Sequence, residues 1–269
     1  MNRNPFVAGQ FYSGSKDALS KEVARFVAGS KAEDDAIGVV SPHAGYIYSG
    51  AVAGSVLGSI KPKDTYIIMG PNHTGLGCQF ALSPARIWKT PLGDVETDER
   101  LALEIKKNCR LIKDDELSHI KEHSIEVQLP ILQYLNKNFK FVPIVISYAG
   151  LDVYRQIAKA LAKSVKDLNL EKNITIIASS DMTHYEPQDT AKSKDFAAIE
   201  AILRLDEEEL FKRISSMDIT MCGYGPALIM IAASKALGAK KAKLVKYATS
   251  GDVSGDYSSV VGYAGITIS

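Results

Sequence analysis

The sequence has no surplus of charge, no long apolar run and very little cysteine, and each lack removes a class of function. Lys and Arg number 32 against 31 Asp and Glu, a formal net charge of +1 over 269 residues. The basic residues nowhere gather into a stripe that could follow a phosphate backbone, so nucleic acid is not expected as a partner. No stretch supplies the roughly 20 consecutive apolar residues that cross a bilayer, so no membrane association is expected. The start, Met1-Asn2-Arg3-Asn4-Pro5, is polar and runs through a few apolar residues into Ser13, Ser15 and Lys16. That is not the apolar region of a signal peptide, and a cytoplasmic location is the expectation. Three cysteines, Cys78, Cys109 and Cys222, form an odd set without a C-x-x-C pair. A disulfide framework is therefore disfavoured, and a thiol that matters here acts as a ligand or a nucleophile.

What is present is a chain that is 46% hydrophobic, long enough for a sizeable core, with no repeat, linker or charge block to mark a boundary. One domain over residues 1–269 is expected. Short β-branched runs alternate with helical patterns. The runs are Ala36–Ser41, Thr65–Met69, Phe139–Ile146, Ile174–Ala178, Ala242–Tyr247 and Val260–Ile268. Helical periodicity covers Asp17–Val27, Ala51–Ile60, Asp98–Lys107, Ile125–Asn136, Val153–Leu168, Ala191–Arg204, Glu207–Ser215 and Pro226–Ala236. This alternation predicts an α/β fold, a mostly parallel sheet sandwiched by helices, with the last strand as an antiparallel edge.

The informative residues follow the strands. The run ending at Val40 passes into Ser41-Pro42-His43-Ala44-Gly45-Tyr46, and the run ending at Met69 into Gly70-Pro71-Asn72-His73-Thr74-Gly75. The run ending at Ala178 passes into Ser179-Ser180-Asp181-Met182-Thr183-His184-Tyr185. Three of five histidines thus sit beyond strand ends, where open α/β sheets keep their ligand crevices. Proline stiffens the turns before His43 and His73, which suits a metal ligand, although a lone histidine is more often a cap or a hydrogen-bonded surface group.

Cys222, in Thr220-Met221-Cys222-Gly223-Tyr224-Gly225-Pro226, lies near the start of an apolar helix. Free N–H groups and the helix dipole there are expected to lower its pKa, making a thiolate that ligates metal or attacks a carbonyl. A small buried hydrophobe is the plainer reading and suits Cys109 better. Asp181 and His184, three apart in one loop, can share a crevice, as ligand or orienting carboxylate and as acid or base, unless Ser180 or Asp181 merely caps a turn. His123 stands between Glu122 and the cap candidate Ser124, where capping and function compete.

Taken together, S-P-H-A-G-Y, G-P-N-H, E-H-S-I-E-V-Q-L-P, S-S-D-M-T-H-Y and C-G-Y-G-P resemble the signature of the Memo family, from Ala8-Gly9-Gln10-Phe11-Tyr12 to Gly262-Tyr263-Ala264-Gly265. That family is similar to class III, LigB-type extradiol dioxygenases, so the resemblance implies a dioxygenase-like fold of the phosphorylase/hydrolase-like type. It implies metal ligands at His43, His73 and Cys222, with Fe(II) first and Cu or Zn as alternatives, and proton-moving roles for His184 and His123. The dioxygenases carry a carboxylate where Cys222 stands, which weighs against ring cleavage. Prokaryotic members are described as protein B of a system with an AMMECR-type protein and a radical-SAM protein, which implies such partners.

Three functions compete on this reading: a redox metalloenzyme, a cysteine- or metal-dependent hydrolase, and a scaffold that holds a small molecule, a peptide or a metal. Tyr46, Tyr48, Trp88 and Tyr224 lie near motif loops and are candidates to line the crevice, with core packing the alternative for each.

Overall fold

Strands without polar alternation must be covered on both faces, and the chain folds to do this. The computed structural model describes residues 1–269. Seven strands carry the architecture: β1 (Gly38–Ser41), β2 (Thr65–Pro71), β3 (Gly93–Thr97), β4 (Lys140–Ile146), β5 (Ile174–Ser179), β6 (Ala242–Thr249) and β7 (Val260–Ile268). They lie in the order β3-β4-β2-β5-β1-β7-β6 within one sheet. From β3 to β1 all pairings are parallel, and β7 runs antiparallel to β1 and to β6. Every residue of β1, β2 and β5 is buried. Because β2, β5 and β1 are neighbours and parallel, their carboxyl ends reach the same edge of the sheet. The loops that follow them therefore converge there.

Helices close both faces. On one lie α1 (Lys16–Val27), α2 (Tyr46–Ser59) and the short helix Leu129–Leu135. The other carries α3 (Leu151–Asp167), α4 (Tyr224–Ala236) and the helices Glu99–Asn108, Gln188–Leu203 and Glu207–Ser216. The α3 stripe Tyr154, Ile157, Ala158, Leu161 and Val165 is buried, with the spacing that puts side chains on one face. Each fully buried branched aliphatic there contributes about 1.5–3 kcal/mol. In α2, Gly50 and Gly54 let α1 approach closely: a Cβ would fall 2.4 Å from Phe26 Cε2 at the first and 2.5 Å from Phe26 Cβ at the second.

The sequence reading needs correction in places. β7 is antiparallel as expected but is no edge, because β6 pairs along its length and His184–Glu186 pairs at its start. Helix α2 begins at Tyr46 rather than Ala51, since Tyr46 is drawn into the core and its hydroxyl donates to Val127 O at 2.6 Å. The segment Ile125–Asn136 opens with a 3-10 turn, Glu126–Gln128, before becoming α-helical. Strands Phe80–Leu82, Ile87–Thr90 and β3 had no reading, being three to five residues long and interrupted by Pro and Gly. No helix is long and apolar enough to cross a membrane.

Candidate metal centre

Two loops and a helix start meet at the carboxyl edge of the sheet. His43 follows β1 by two residues, His73 follows β2 by two, and Cys222 precedes α4 by two. Their donor atoms lie within 4.8 Å of one another, and His43 Nε2 is 3.2 Å from Cys222 Sγ. Gly223 makes the approach possible, because a Cβ there would sit 2.4 Å from Ser179 O at the end of β5.

A hydrogen-bond network sets which imidazole nitrogen faces inward. Ser41 Oγ donates to Gln128 Oε1 at 2.8 Å, so the Gln128 amide nitrogen points the other way and donates to Pro42 O at 2.9 Å and to Ser179 Oγ at 2.8 Å. The Ser179 hydroxyl spends its single proton on Ser124 O at 2.6 Å. Its remaining lone pair therefore accepts from His43 Nδ1, 3.0 Å away, and the lone pair of His43 lies on Nε2, toward Cys222. Glu122 does the same for His73. Its Oε1 accepts from His73 Nδ1 at 2.9 Å and its Oε2 from the His73 backbone N–H at 2.7 Å. Both rings thus carry their proton on Nδ1 and leave Nε2 free, the state in which imidazole binds a metal. Two imidazoles and one sulfur from separate chain segments fit a resident cation, and this donor set suits Fe, Cu or Zn without selecting among them.

Charge at the site follows from burial. His43 is held well below the usual histidine pKa by desolvation and by His73, His123 and His184 around it. Burial pulls His73 down as well, but the Glu122 hydrogen bond and charge prevail and raise it. Glu122, pushed up by burial, is carried down to about 2 by its hydrogen bond to His73. Burial lowers His123 to about 4. Burial and then the charge of Asp181 push the Cys222 thiol up, opposite to the lowering expected at a helix start. The helix start does not offset this, since the Gly223 N–H donates to Ser180 Oγ at 2.9 Å and not to the thiol.

The other candidates divide. His123 stacks on His73 with ring centroids 4.7 Å apart and an interplanar angle of 15°, and Phe11 covers it at 4.7 Å. Asp181 is outside the donor group and acts on the His43 loop, where its Oδ1 accepts from the N–H of His43 at 2.7 Å and of Ala44 at 3.3 Å. His184 is held by Thr220, donating Nδ1–H to Thr220 O at 3.0 Å and its backbone N–H to Thr220 Oγ1 at 2.7 Å. Tyr224 lines the cleft beside His73 and Cys222, and Tyr48 is 40% exposed at the first turn of α2. Trp88 and Tyr46 do not line the crevice. Trp88 is 1% exposed, lies under Arg3 at 4.0 Å and packs edge-on to Phe141, and Tyr46 is buried against Tyr12 and Phe26. Cys109 is buried in the core, as its plain reading holds. Sequence reasoning left out Ser179 and Gln128, though both stand inside the quoted motifs. It also left out Tyr148, which two residues after β4 obeys the same strand-end rule as His43 and His73.

Comparison with known proteins agrees with this construction. The solved structure of an uncharacterized protein from Escherichia coli K12 superposes with a TM-score of 0.56 at 13% identity, covering 86% of this chain and 98% of that one. It shares the fold. A MEMO1 family protein of Methanopyrus kandleri is 43% identical over 99% of this chain and 98% of its own length, and one of Methanococcoides burtonii is 46% identical over 99% of each. The family model described as Memo-like protein matches residues 3–267, which takes in every loop of the candidate centre, and the chain belongs to that family.

Proposed function

We propose that the chain is a metal-dependent protein of the oxidoreductase class, related to the extradiol dioxygenases, whose cation is held by His43 Nε2, His73 Nε2 and Cys222 Sγ. The observation that carries this reading is the double fixing of tautomers: Ser179 and Glu122 each take an Nδ1 proton and leave two Nε2 lone pairs beside one sulfur. Fe(II) is the first choice of metal, with Cu or Zn as alternatives. A redox metal bound there supplies one-electron chemistry with O₂ or a related oxidant and Lewis acidity toward a substrate oxygen. The protein's part is positioning and proton handling. His184, with Nδ1–H committed to Thr220 O, keeps the lone pair of Nε2 for a proton, and His123, stacked on His73, is the second histidine proposed to position substrate and pass protons. Asp181 holds the His43 loop in place.

The test is the metal content of protein purified anaerobically, wild type against His43→Ala, His73→Ala and Cys222→Ser. One equivalent in the wild type and loss of most of it in each variant is expected. Full occupancy in all three variants refutes the assignment. A second reading, a Cys–His hydrolase, is favoured by the 3.2 Å between Cys222 Sγ and His43 Nε2. It is separated by alkylating Cys222 in metal-free protein: rapid labelling at pH 7 belongs to the hydrolase, and slow labelling that added metal suppresses belongs to the metal centre. The family resemblance adds an AMMECR-type protein and a radical-SAM protein as proposed partners, to be sought by co-purification from the native host.

A further inference from the structure

Beside the metal donors opens a cleft of about 350 Å³, lined by residues that include His73, Cys222 and Tyr224. A cavity of about 150 Å³ holds one benzene ring, and ligand clefts begin near 300 Å³, so this volume suits one or two rings rather than a folded peptide. No Lys, Arg, Asp or Glu lines it. The nearest carboxylate, Glu122, lies behind His73, 2.9 Å from its Nδ1, and is not part of the lining. In the metal-free protein an anionic or cationic ligand would leave water here with no charged lining group to meet it, which is costly.

One wall is aromatic. Tyr148 lies nearly parallel to Tyr224, at 25° with centroids 5.9 Å apart, and Tyr224 meets Tyr154 edge-on at 88° and 6.1 Å. The wall is braced from behind. Tyr154 Oη accepts the Ala149 N–H at 2.8 Å and donates to Ser147 O at 3.2 Å, tying down the loop that carries Tyr148. Gly225 allows Tyr154 to come close, because a Cβ there would meet its hydroxyl at 2.9 Å. Tyr148 as a residue is nevertheless 73% exposed. Held at the mouth of the cleft with Tyr224 on one side, the Tyr148 ring has its other face open to a flat ligand. Ser147 adds a neutral polar residue to the remaining lining, while Asn72 and Thr74 turn their side chains to each other and to the Gly75 and Leu76 backbone.

We infer that this cleft binds a small, uncharged, planar ring compound carrying a neutral polar substituent, with its ring against the Tyr148–Tyr224 wall and its polar group toward His73 and Cys222. The inference rests on the metal-centre reading for what happens to the ligand, but not for its binding. Its test therefore uses metal-free protein.

Four probes of similar size separate the terms: benzamide (planar, neutral), benzoate (planar, anionic), benzylammonium (planar, cationic) and cyclohexanecarboxamide (neutral, not planar). Binding is followed at pH 8 by ligand-observed NMR and by chemical-shift changes of the protein. Benzamide is expected to bind at least about tenfold more tightly than each of the others, and Tyr148→Ala to weaken it by about two- to tenfold, as loss of one stacking contact would. Tyr148→Phe, which keeps the ring, is expected to bind benzamide like the wild type. Benzoate or benzylammonium binding as tightly as benzamide overturns the charge argument. Equal binding of cyclohexanecarboxamide, or an unchanged benzamide affinity in Tyr148→Ala, overturns the stacking argument, and no binding by any probe overturns the site. Benzamide selectivity in a protein that takes up no metal supports the cleft while refuting the metal centre, so the two failures are distinct.

Discussion

Replacing Glu122 by Gln keeps the size of the side chain and removes its charge, and so isolates the orientation of His73. The carboxylate accepts three N–H groups: the His73 ring and backbone, and the Ser124 backbone at 2.9 Å. An amide can keep two of these on its oxygen. Its NH₂ must then face the third donor, leaving a buried N–H unpaired at a cost of about 1–3 kcal/mol to the metal-free fold. The ring keeps an acceptor on the amide oxygen but loses the carboxylate charge that holds its proton on Nδ1 and makes Nε2 the stronger ligand. Loss of such a partner behind a ligating histidine typically lowers metal affinity 10–100-fold, or about 1.4–2.7 kcal/mol. The assay is an anaerobic titration of folded protein against a chelator of known affinity. Glu126→Gln is the control: Glu126 binds Arg3 Nη1 at 2.7 Å, Tyr12 Oη at 2.7 Å and the N–H groups of Phe6 and Val7, and touches no candidate ligand. Breaking that buried pair is expected to cost about 3–5 kcal/mol of stability and leave the metal affinity of the folded protein alone. A Glu122→Gln affinity within about twofold of wild type would refute the role given to Glu122.

Other expectations reach beyond the donors. His119 donates Nε2–H to Ala81 O at 3.0 Å while its buried Nδ1 has no partner, and burial lowers its pKa from 6.5 to about 4. The unfolded chain then binds a proton below pH 6.5 that the folded chain refuses until about pH 4, so stability falls through that window by on the order of 3 kcal/mol, and the urea midpoint of His119→Gln should lose that part of the slope. Trp88→Ala should cost about 3–5 kcal/mol in urea unfolding and spare metal uptake, as a core residue would; loss of metal with intact stability would return Trp88 to the crevice. His184→Ala should keep its metal in elemental analysis, because its ring is tied to Thr220 and not to the donor group. Protein loaded anaerobically with Fe(II) and then given catechols and O₂ should form little ring-opened product, because the proposed ligand set has a cysteine sulfur in place of a hard carboxylate; robust turnover would contradict this.

Of the parallel core, β1, β2, β4 and β5 were legible because each is a largely apolar run rich in β-branched residues, and β1 and β2 lead into Pro-marked turns, whereas β3 is short and polar. His43, His73 and Cys222 were legible because each lies at such a turn or a helix start, so topology alone gathers them. What could not be read locally is partnership. Ser179 and Gln128 lie 51 residues apart, and nothing in either segment announces that together they fix the His43 tautomer. Trp88 sits near motif loops in sequence, yet its strand Ile87–Thr90 pairs with Asn2–Arg3, which draws the indole under Arg3 and into the core. The thiol pKa was misread for the same reason, since neither its burial nor the neighbouring Asp181 carboxylate shows in the residues around Cys222.

The ligand set itself is open to direct measurement. X-ray absorption at the metal edge of anaerobically loaded wild-type protein should fit one sulfur near 2.3 Å and two imidazole nitrogens near 2.0–2.1 Å if the metal is zinc, with the sulfur shell absent in Cys222→Ser. A wild-type spectrum with no sulfur scatterer, or one unchanged by Cys222→Ser, would contradict the assignment of His43, His73 and Cys222 as the metal centre.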